Sequence, residues 1–178
     1  KEAAKSILRT FLQYLDGGMI PNRFPDLGEK PEYNTIDATL WLFVALHEYH
    51  EQFHDVEFIR SFFGKLTEII NAHYAGTRYN IHVTPEGLLY GGQDGTQLTW
   101  MDAKVGDYVV TPRIGCPVEI NALWFNALSV YVSFGNLLGF PVSGYVQKLK
   151  DLKSVFRSHF INEKGYLNDV VIPGHKAD

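Results

Sequence analysis

A chain of 178 residues, of which 46% are apolar, is long enough to bury one sizeable core, and its composition is that of a folded domain. The formal net charge of −4 comes without a run of basic side chains, and no apolar stretch is long enough to cross a bilayer, so we expect neither nucleic acid nor a membrane as a partner. The single cysteine, Cys116, excludes an internal disulfide and fits a reducing, cytoplasmic compartment.

The first part of the chain predicts three helices of two kinds. Apolar residues recur every three or four positions over residues 1–15, which predicts an amphipathic helix. Residues 35–53 are apolar on all sides, which predicts a helix that is buried all round. A third helix with one apolar stripe is expected to run to about Tyr74, with Asp55 as its N-cap.

The second half of the chain repeats this alternation. Residues 118–138 are apolar on nearly every side, whereas residues 142–160 carry a single apolar stripe. Before them, short strands are predicted around residues 79–84 and 88–90, with a turn at residues 85–87. The expected fold class is therefore all-α, with a short β-containing insertion in one loop.

The five predicted helices follow the order outer, inner, outer, inner, outer. Such an order is typical of helical hairpins packed side by side, with an inner ring surrounded by an outer one, as in an α/α toroid. Five helices are too few to close a ring. We therefore expect residues 1–178 to be a partial barrel domain whose other helices lie in the rest of a parent chain, and we expect the isolated part to expose apolar helix faces.

The connections between these helices differ in length in a regular way. Links from an inner to an outer helix are short, whereas residues 16–34, 75–117 and 161–178 form long loops that reach the face where the inner helices begin. Long loops in compact domains usually carry function. For Asp37 and Glu119, which lie in first helical turns, interaction with the helix dipole is an equally good explanation. The candidate residues on this face are Asn22, Arg23, Asp37, Trp100, Asp102, Arg113, Glu119 and Asn121.

Aromatic residues make up 14% of the chain, and several lie in loops beside Asn, Asp and Arg, which is typical of sugar sites. Four segments follow one another here: IPNRFPDLG, YNTIDATLW, GLLYGGQDGTQLTWMDAK and TPRIGCPVEINALWFNAL. In this order they resemble the amylo-α-1,6-glucosidase domain of glycogen debranching enzymes of the archaeal and bacterial type. The resemblance covers the chain from about Ile20 onwards. It implies an (α/α)6 barrel like that of glucoamylases, which removes the α-1,6-linked glucose at the branch points of glycogen or a branched α-glucan with inversion and without a cofactor.

The resemblance also implies roles for individual residues. Asp102, in the Thr-Trp-Met-Asp segment, corresponds to the general acid, and the apolar bodies of Trp100 and Met101 are expected to raise its pKa by desolvation, which Lys104 would oppose. An inverting enzyme needs a second carboxylate roughly 6.5–9.5 Å away. From the residues alone Glu119 is the candidate, but the resemblance implies a glutamate of a later barrel segment, and Glu119 then binds sugar hydroxyls. The motif positions expected at the glucose pocket are Arg23, Asp37, Trp41, Trp100, Arg113, Glu119, Asn121 and Trp124.

Two other functions are compatible with the sequence. Residues 50–54 read His-Glu-Gln-Phe-His, the H-E-x-x-H pattern of zinc peptidases, with His50, Glu51 and His54 as the candidate residues. Such a site needs one helix that continues through His54, whereas Asp55 is expected to cap a new helix, so we expect no metal here. The other alternative is a non-catalytic helical module that binds a glycan or a partner through the same aromatic loops.

Overall fold

The computed structural model describes residues 1–24 and 30–174, and this part of the chain is mostly helical, as the sequence predicted. Its helices are α1 (Glu2–Gln13), α2 (Ala38–Phe53), α3 (Val56–Ala75), α4 (Val118–Leu138) and α5 (Ser143–Phe160). Its strands form three antiparallel pairs within the described residues, β1 (His82–Val83) with β2 (Leu89–Tyr90), β3 (Lys104–Val105) with β4 (Tyr108–Val109), and β5 (Cys116–Pro117) with β6 (Val170–Val171).

The core lies around α2 and α4, the two helices whose sequences are apolar on all sides. Helix α4 packs against α2, α3 and α5, and α1 packs against α2. Helix α4 buries residues on several faces, among them Ile120, Trp124, Leu128 and Phe134, whereas α5 buries Leu152 and Phe160 along one stripe. The predicted contrast in burial therefore agrees with α4 and α5. The prediction that α2 is buried all round is wrong, because Trp41 on this helix is 53% exposed. None of the helices in the described ranges is long and apolar enough to cross a membrane.

The helix ends have local causes. Helix α4 follows Pro117 and ends at Leu138, and it is capped by Gly139, whose left-handed conformation (φ 76°) suits a residue without a Cβ atom. Helix α2 begins at Ala38 and not at Thr35, because residues 35–37 form the turn before the helix, in which the Thr35 hydroxyl accepts a hydrogen bond from the Ala38 backbone N–H at 3.3 Å.

The junction between α2 and α3 is held by Asp55. As predicted, Asp55 caps α3, and its carboxylate accepts a hydrogen bond from the Phe58 N–H at 3.1 Å. The same carboxylate accepts hydrogen bonds from the Lys5 ammonium and the Tyr49 hydroxyl, each at 3.0 Å. The hydrogen bond from Lys5 is the largest effect that lowers the pKa of Asp55, while burial and the bond to Asp55 raise the pKa of Tyr49 to about 12.

This cluster makes folding sensitive to acid. Because the pKa of Asp55 is lower in the folded chain than in the unfolded chain, its contribution is complete above the ordinary Asp pKa of about 4 and is lost as the pH falls through the folded value. We expect the urea midpoint of Asp55→Asn to fall less between pH 6 and pH 2 than that of the wild type. Asp107→Asn, an exposed turn residue, is the matched control, and equal slopes for Asp55→Asn and the wild type would contradict the assignment.

The strand pairs were predicted in part. The β1–β2 hairpin and its turn at residues 85–87 agree with the sequence, and His82 pairs with Tyr90. The β3–β4 hairpin and the β5–β6 pair were missed. In the latter, Gly115 precedes β5 with φ 136°, and a Cβ atom there would lie 2.9 Å from Val170 Cγ1, so glycine permits the close approach of β6.

Candidate active site

A groove of about 550 Å³ opens between α1, the start of α2 and the loop of residues 97–102. Trp41 and Trp100 lie on its wall with 53% and 66% of their surfaces exposed, so both aromatic faces are available to a ligand. The groove brings together side chains that are far apart in the sequence. Its apolar side is formed by Ile7, Leu8 and Phe11 of α1. Its polar and aromatic lining consists of Asn22, Asn34, Thr35, Asp37, Trp41, Gln97, Thr99, Trp100 and Asp102.

Asp37 lies at the N-cap position of α2, but its carboxylate does not serve as the cap. Among the described residues, no backbone N–H of α2 donates to it, because Thr35 takes that role. One oxygen, Oδ1, accepts a hydrogen bond from the Thr35 hydroxyl at 2.6 Å. Since a carboxylate has several acceptor positions, Asp37 keeps acceptor capacity on the groove side. This geometry is compatible with a ligand-binding role, and the position at the start of α2 is also favourable for a carboxylate because of the helix dipole.

Asp102 lies at the other wall of the groove, and its side chain is exposed. Its backbone carbonyl accepts a hydrogen bond from the Gln97 side-chain amide at 3.1 Å, which fixes the backbone and leaves the carboxyl group outside the bond. The Lys104 ammonium is directed to the Gly95 carbonyl at 3.5 Å. The enclosure of Asp102 by Trp100 and Met101 that the sequence predicted is absent from the described structure, because Asp102 and Trp100 are both exposed.

Arg113 and Glu119 are neighbours, but neither belongs to the wall of the groove. The Arg113 side chain is only 4% exposed and forms a two-bond ion pair with the Glu119 carboxylate, in which Nη2 donates to Oε2 at 2.8 Å. On its other side, Arg113 pairs with Asp169 through Nε to Oδ2 at 3.2 Å and Nη2 to Oδ1 at 2.8 Å. These hydrogen bonds, first the one to Glu119, raise the pKa of Arg113. Through its ion pairs with Glu119 and Asp169, Arg113 therefore joins the start of α4 to the segment before β6.

Asn121 and Trp124 are buried on α4 with no exposed surface. The Asn121 amide donates to the carbonyls of Leu89 at 3.0 Å and Pro117 at 2.9 Å, and its oxygen accepts from the Leu89 N–H at 2.7 Å. The Trp124 indole N–H donates to the Gly87 carbonyl at 3.3 Å. Both residues thus hold the β1–β2 hairpin on α4. The sequence placed them at the glucose pocket, and in the structure neither of them lines the groove.

Arg23 is exposed and does not line the groove, although its chain neighbour Asn22 does. Its guanidinium pairs with Glu32 at 3.0 Å across an isolated bridge. The remainder of the segment IPNRFPDLG, residues 25–28, lies outside the described residues. Asn22 of the same segment does line the groove, so the segment contributes to the site through a residue other than Arg23.

The H-E-x-x-H pattern does not form the geometry of a zinc peptidase. Helix α2 ends at Phe53, and His54 adopts a left-handed conformation with φ 48°, so the two histidines do not lie one turn apart on a continuous helix. Their ring centroids are 6.0 Å apart, and the His50 ring packs edge-on against Phe134 at 5.6 Å. Within residues 1–24 and 30–174, no cluster of three or more His, Cys, Asp or Glu side chains has metal-binding geometry.

Several polar residues of the site were missed from the sequence. Gln97 and Thr99 lie within the quoted motif segment, and their place beside Trp100 was a usable signal. Asn34 and Thr35 directly precede Asp37, and the long loop that carries them was already expected at this face. Asp169 had no local signal, because its partner Arg113 is 56 positions away in the chain.

Comparison with known families places the chain among the glycoside hydrolases. The family whose sequence profile matches, over residues 1–178, is that of the amylo-alpha-1,6-glucosidases, and the chain belongs to it. The resemblance carried by the four sequence segments is thereby confirmed at the level of the family, and membership implies an α-glucan as the class of substrate. Among curated proteins, none matches the chain.

Proposed function

We propose that the groove binds the α-1,6-linked glucose of a branched α-glucan and that Asp102 is the general acid of its hydrolysis. The observation that carries this proposal is the arrangement of Asp37, Trp41, Trp100 and Asp102 around one open groove. Two exposed indole rings provide surfaces for the C–H faces of sugar rings, and carboxylate and amide groups accept or donate to their hydroxyls. The site belongs, in this proposal, to a debranching enzyme of the archaeal and bacterial type.

The proposed reaction is a single displacement with inversion. Asp102 donates its proton to the glycosidic oxygen as the bond from that oxygen to the anomeric carbon breaks, and a water molecule attacks the anomeric carbon from the opposite face. A second carboxylate removes the proton of this water. We assign that base, by the resemblance, to a later segment of a complete (α/α)6 toroid, of which residues 1–178 are a part. Binding of a glucan would cover the exposed side of Asp102 and exclude water from it.

Glu119 is proposed as a ligand of sugar hydroxyls next to this groove. Its side chain is 30% exposed even while both of its oxygens accept hydrogen bonds from Arg113. A carboxylate oxygen has a second acceptor position, so the ion pair is compatible with a hydroxyl donor on the exposed side. Arg23, which is 62% exposed at the rim, is proposed to contact the glucan beyond the terminal glucose.

A binding module without catalysis is the second candidate function, and the exposure of Asp102 to solvent favours it. The two candidates share the same ligand and differ in turnover. Release of glucose from an α-1,6-branched oligosaccharide by the complete protein, with β-glucose as the first product detected by NMR, supports the hydrolase. Saturable binding of the same oligosaccharide without glucose release supports the module.

The tryptophans allow a test of binding that is independent of turnover. We expect Trp41→Ala and Trp100→Ala each to weaken the binding of a branched oligosaccharide by about two- to tenfold, because each removes one stacking surface worth about 0.5–1.5 kcal/mol. Isothermal titration calorimetry measures the change. Tyr166→Ala, which removes an aromatic ring that is 70% exposed outside the groove, is the control and should bind normally. Unchanged affinity in both tryptophan variants would place the glucan elsewhere.

A further inference from the structure

We infer that Arg113 is a positioning residue for the loop that carries Trp100 and Asp102, that it acts through the Thr99 hydroxyl, and that Asp169 orients it. This inference rests on the proposed function of that loop. It assigns to Arg113 a role different from the glucose contact expected from the sequence. The evidence is a continuous set of hydrogen bonds that runs from the segment after α5 to the wall of the groove.

The guanidinium of Arg113 is fully engaged. An arginine side chain has five N–H donors in a rigid plane. In Arg113, Nε donates to Asp169, Nη1 donates to Thr99 and Glu119, and Nη2 donates to Glu119 and Asp169. Each N–H therefore has a partner among the described residues, and the plane of the group is fixed from three directions. A donor held in this way can impose a position on its acceptor but has no N–H to offer a sugar.

Thr99 transmits this position to the loop. Its hydroxyl oxygen accepts a hydrogen bond from Arg113 Nη1 at 3.3 Å and a second one from the Met101 backbone N–H, also at 3.3 Å. The second bond spans Trp100 and closes the turn just before Asp102. On either side the loop is tied by the Ile36 N–H, which donates to the Leu98 carbonyl at 2.8 Å, and by the Gln97 amide, which donates to the Asp102 carbonyl. Thr99 thus connects the buried Arg113 to the loop that carries Trp100 and Asp102.

Asp169 holds the arginine from the far side. It precedes β6, whose residue Val170 pairs with Pro117, and its own carbonyl accepts a hydrogen bond from the Val118 N–H at 2.9 Å. The missing side chain of Gly115 lets β6 approach this closely. The segment after α5 therefore contributes to the site in two ways. It binds the backbone at the start of α4, and its Asp169 carboxylate accepts hydrogen bonds from Arg113. It need not touch substrate to affect the reaction.

The test compares Thr99→Val with Thr99→Ser in the complete protein. Valine keeps the shape but removes the acceptor for Arg113 and Met101, whereas serine keeps the hydroxyl. We expect Thr99→Val to lower kcat on a branched oligosaccharide by about tenfold with KM changed less than about threefold, since small displacements of a catalytic group cost rate more than binding. Thr99→Ser should remain near the wild type. Arg113→Lys, which loses the planar fork, should resemble Thr99→Val, while Arg60→Lys, at an exposed pair with Glu57, should have no effect.

A spectroscopic measurement separates positioning from stability and from the proposed function. In the chain of residues 1–178 with Trp41→Phe, the remaining tryptophans are the exposed Trp100 and the buried Trp124, so acrylamide quenching of this chain reports on Trp100. At a temperature where circular dichroism shows every variant folded, Thr99→Val should change the quenching constant and Thr99→Ser should not. If Thr99→Val changes the quenching constant but the complete protein shows no glucosidase activity, the positioning role of Arg113 is retained and the proposed hydrolase function is overturned. Unchanged quenching and unchanged kcat in Thr99→Val and Arg113→Lys would overturn the inference.

Discussion

Asp102→Asn is expected to lower the turnover of the complete protein on a branched oligosaccharide by about 10²–10⁴, because the amide keeps the shape and polarity of the side chain but has no acidic proton to donate. Binding of the substrate should be largely retained. The Asp102 backbone carbonyl, which accepts a hydrogen bond from the Gln97 side-chain amide, is unchanged by the substitution, so the loop should keep its conformation. Steady-state kinetics gives the rate, and calorimetry with the same oligosaccharide gives the affinity.

The matched control for this variant is Asp107→Asn. Asp107 is an exposed carboxylate of the turn between β3 and β4, within the same long loop, and its loss should leave both rate and affinity unchanged. Activated substrates offer a further check, since a leaving group that needs no proton should be cleaved by Asp102→Asn with a much smaller loss. Near-normal turnover of the natural linkage, or an equal loss of affinity and rate, would show that Asp102 is not the acid.

Asn121→Ala is expected to lower the free energy of unfolding by about 3 kcal/mol, because it leaves the Leu89 N–H, the Leu89 carbonyl and the Pro117 carbonyl without their buried partner. Such a loss is a large part of the stability of a domain of this size. Urea unfolding followed by circular dichroism measures it. The alternative, a direct contact between Asn121 and glucose, predicts instead a loss of affinity at unchanged stability.

Asn136→Ala provides the control on the same helix. Asn136 is exposed near the end of α4, so its replacement should change stability by no more than about 0.5 kcal/mol. If Asn121→Ala unfolds at the same urea concentration as the wild type, the buried amide does not hold the β1–β2 hairpin in the way its hydrogen bonds indicate. The comparison thus decides between a structural residue and a sugar ligand at a position where sequence motifs alone favoured the ligand.

The helices were predictable because their signals are local. The run from Val118 to Leu138 is bounded by Pro117 and Gly139, and the predicted limits coincide with those of α4. The cap at Asp55 was equally visible, because a carboxylate before an apolar stripe marks the start of a helix. At α2 the prediction began too early, since a threonine hydroxyl that caps a turn is not distinguishable by pattern from the first residue of the helix.

The site was predictable only where sequence neighbours are also spatial neighbours. Trp100 and Asp102 lie together because they belong to one loop, and Asp37 and Trp41 because they lie one helical turn apart. The burial of Asn121 and Trp124 follows from the prediction that their helix is surrounded on all sides, whereas their motif positions alone indicate a place at the pocket. The pairing of β5 with β6 and the role of Asp169 were not available, because they depend on contacts between distant segments.

The link from Arg113 to Asp169 has a consequence for the order of folding. The two residues are 56 positions apart, and α4 and α5 lie between them. The entropic cost of bringing Arg113 and Asp169 together therefore falls only once those two helices are packed. We expect local helix formation to come first, and the contact between Arg113 and Thr99 to form near the end. We therefore expect the loop of Trp100 and Asp102 to be the last part of the groove to gain its native conformation, and the first to lose it when the segment after α5 detaches.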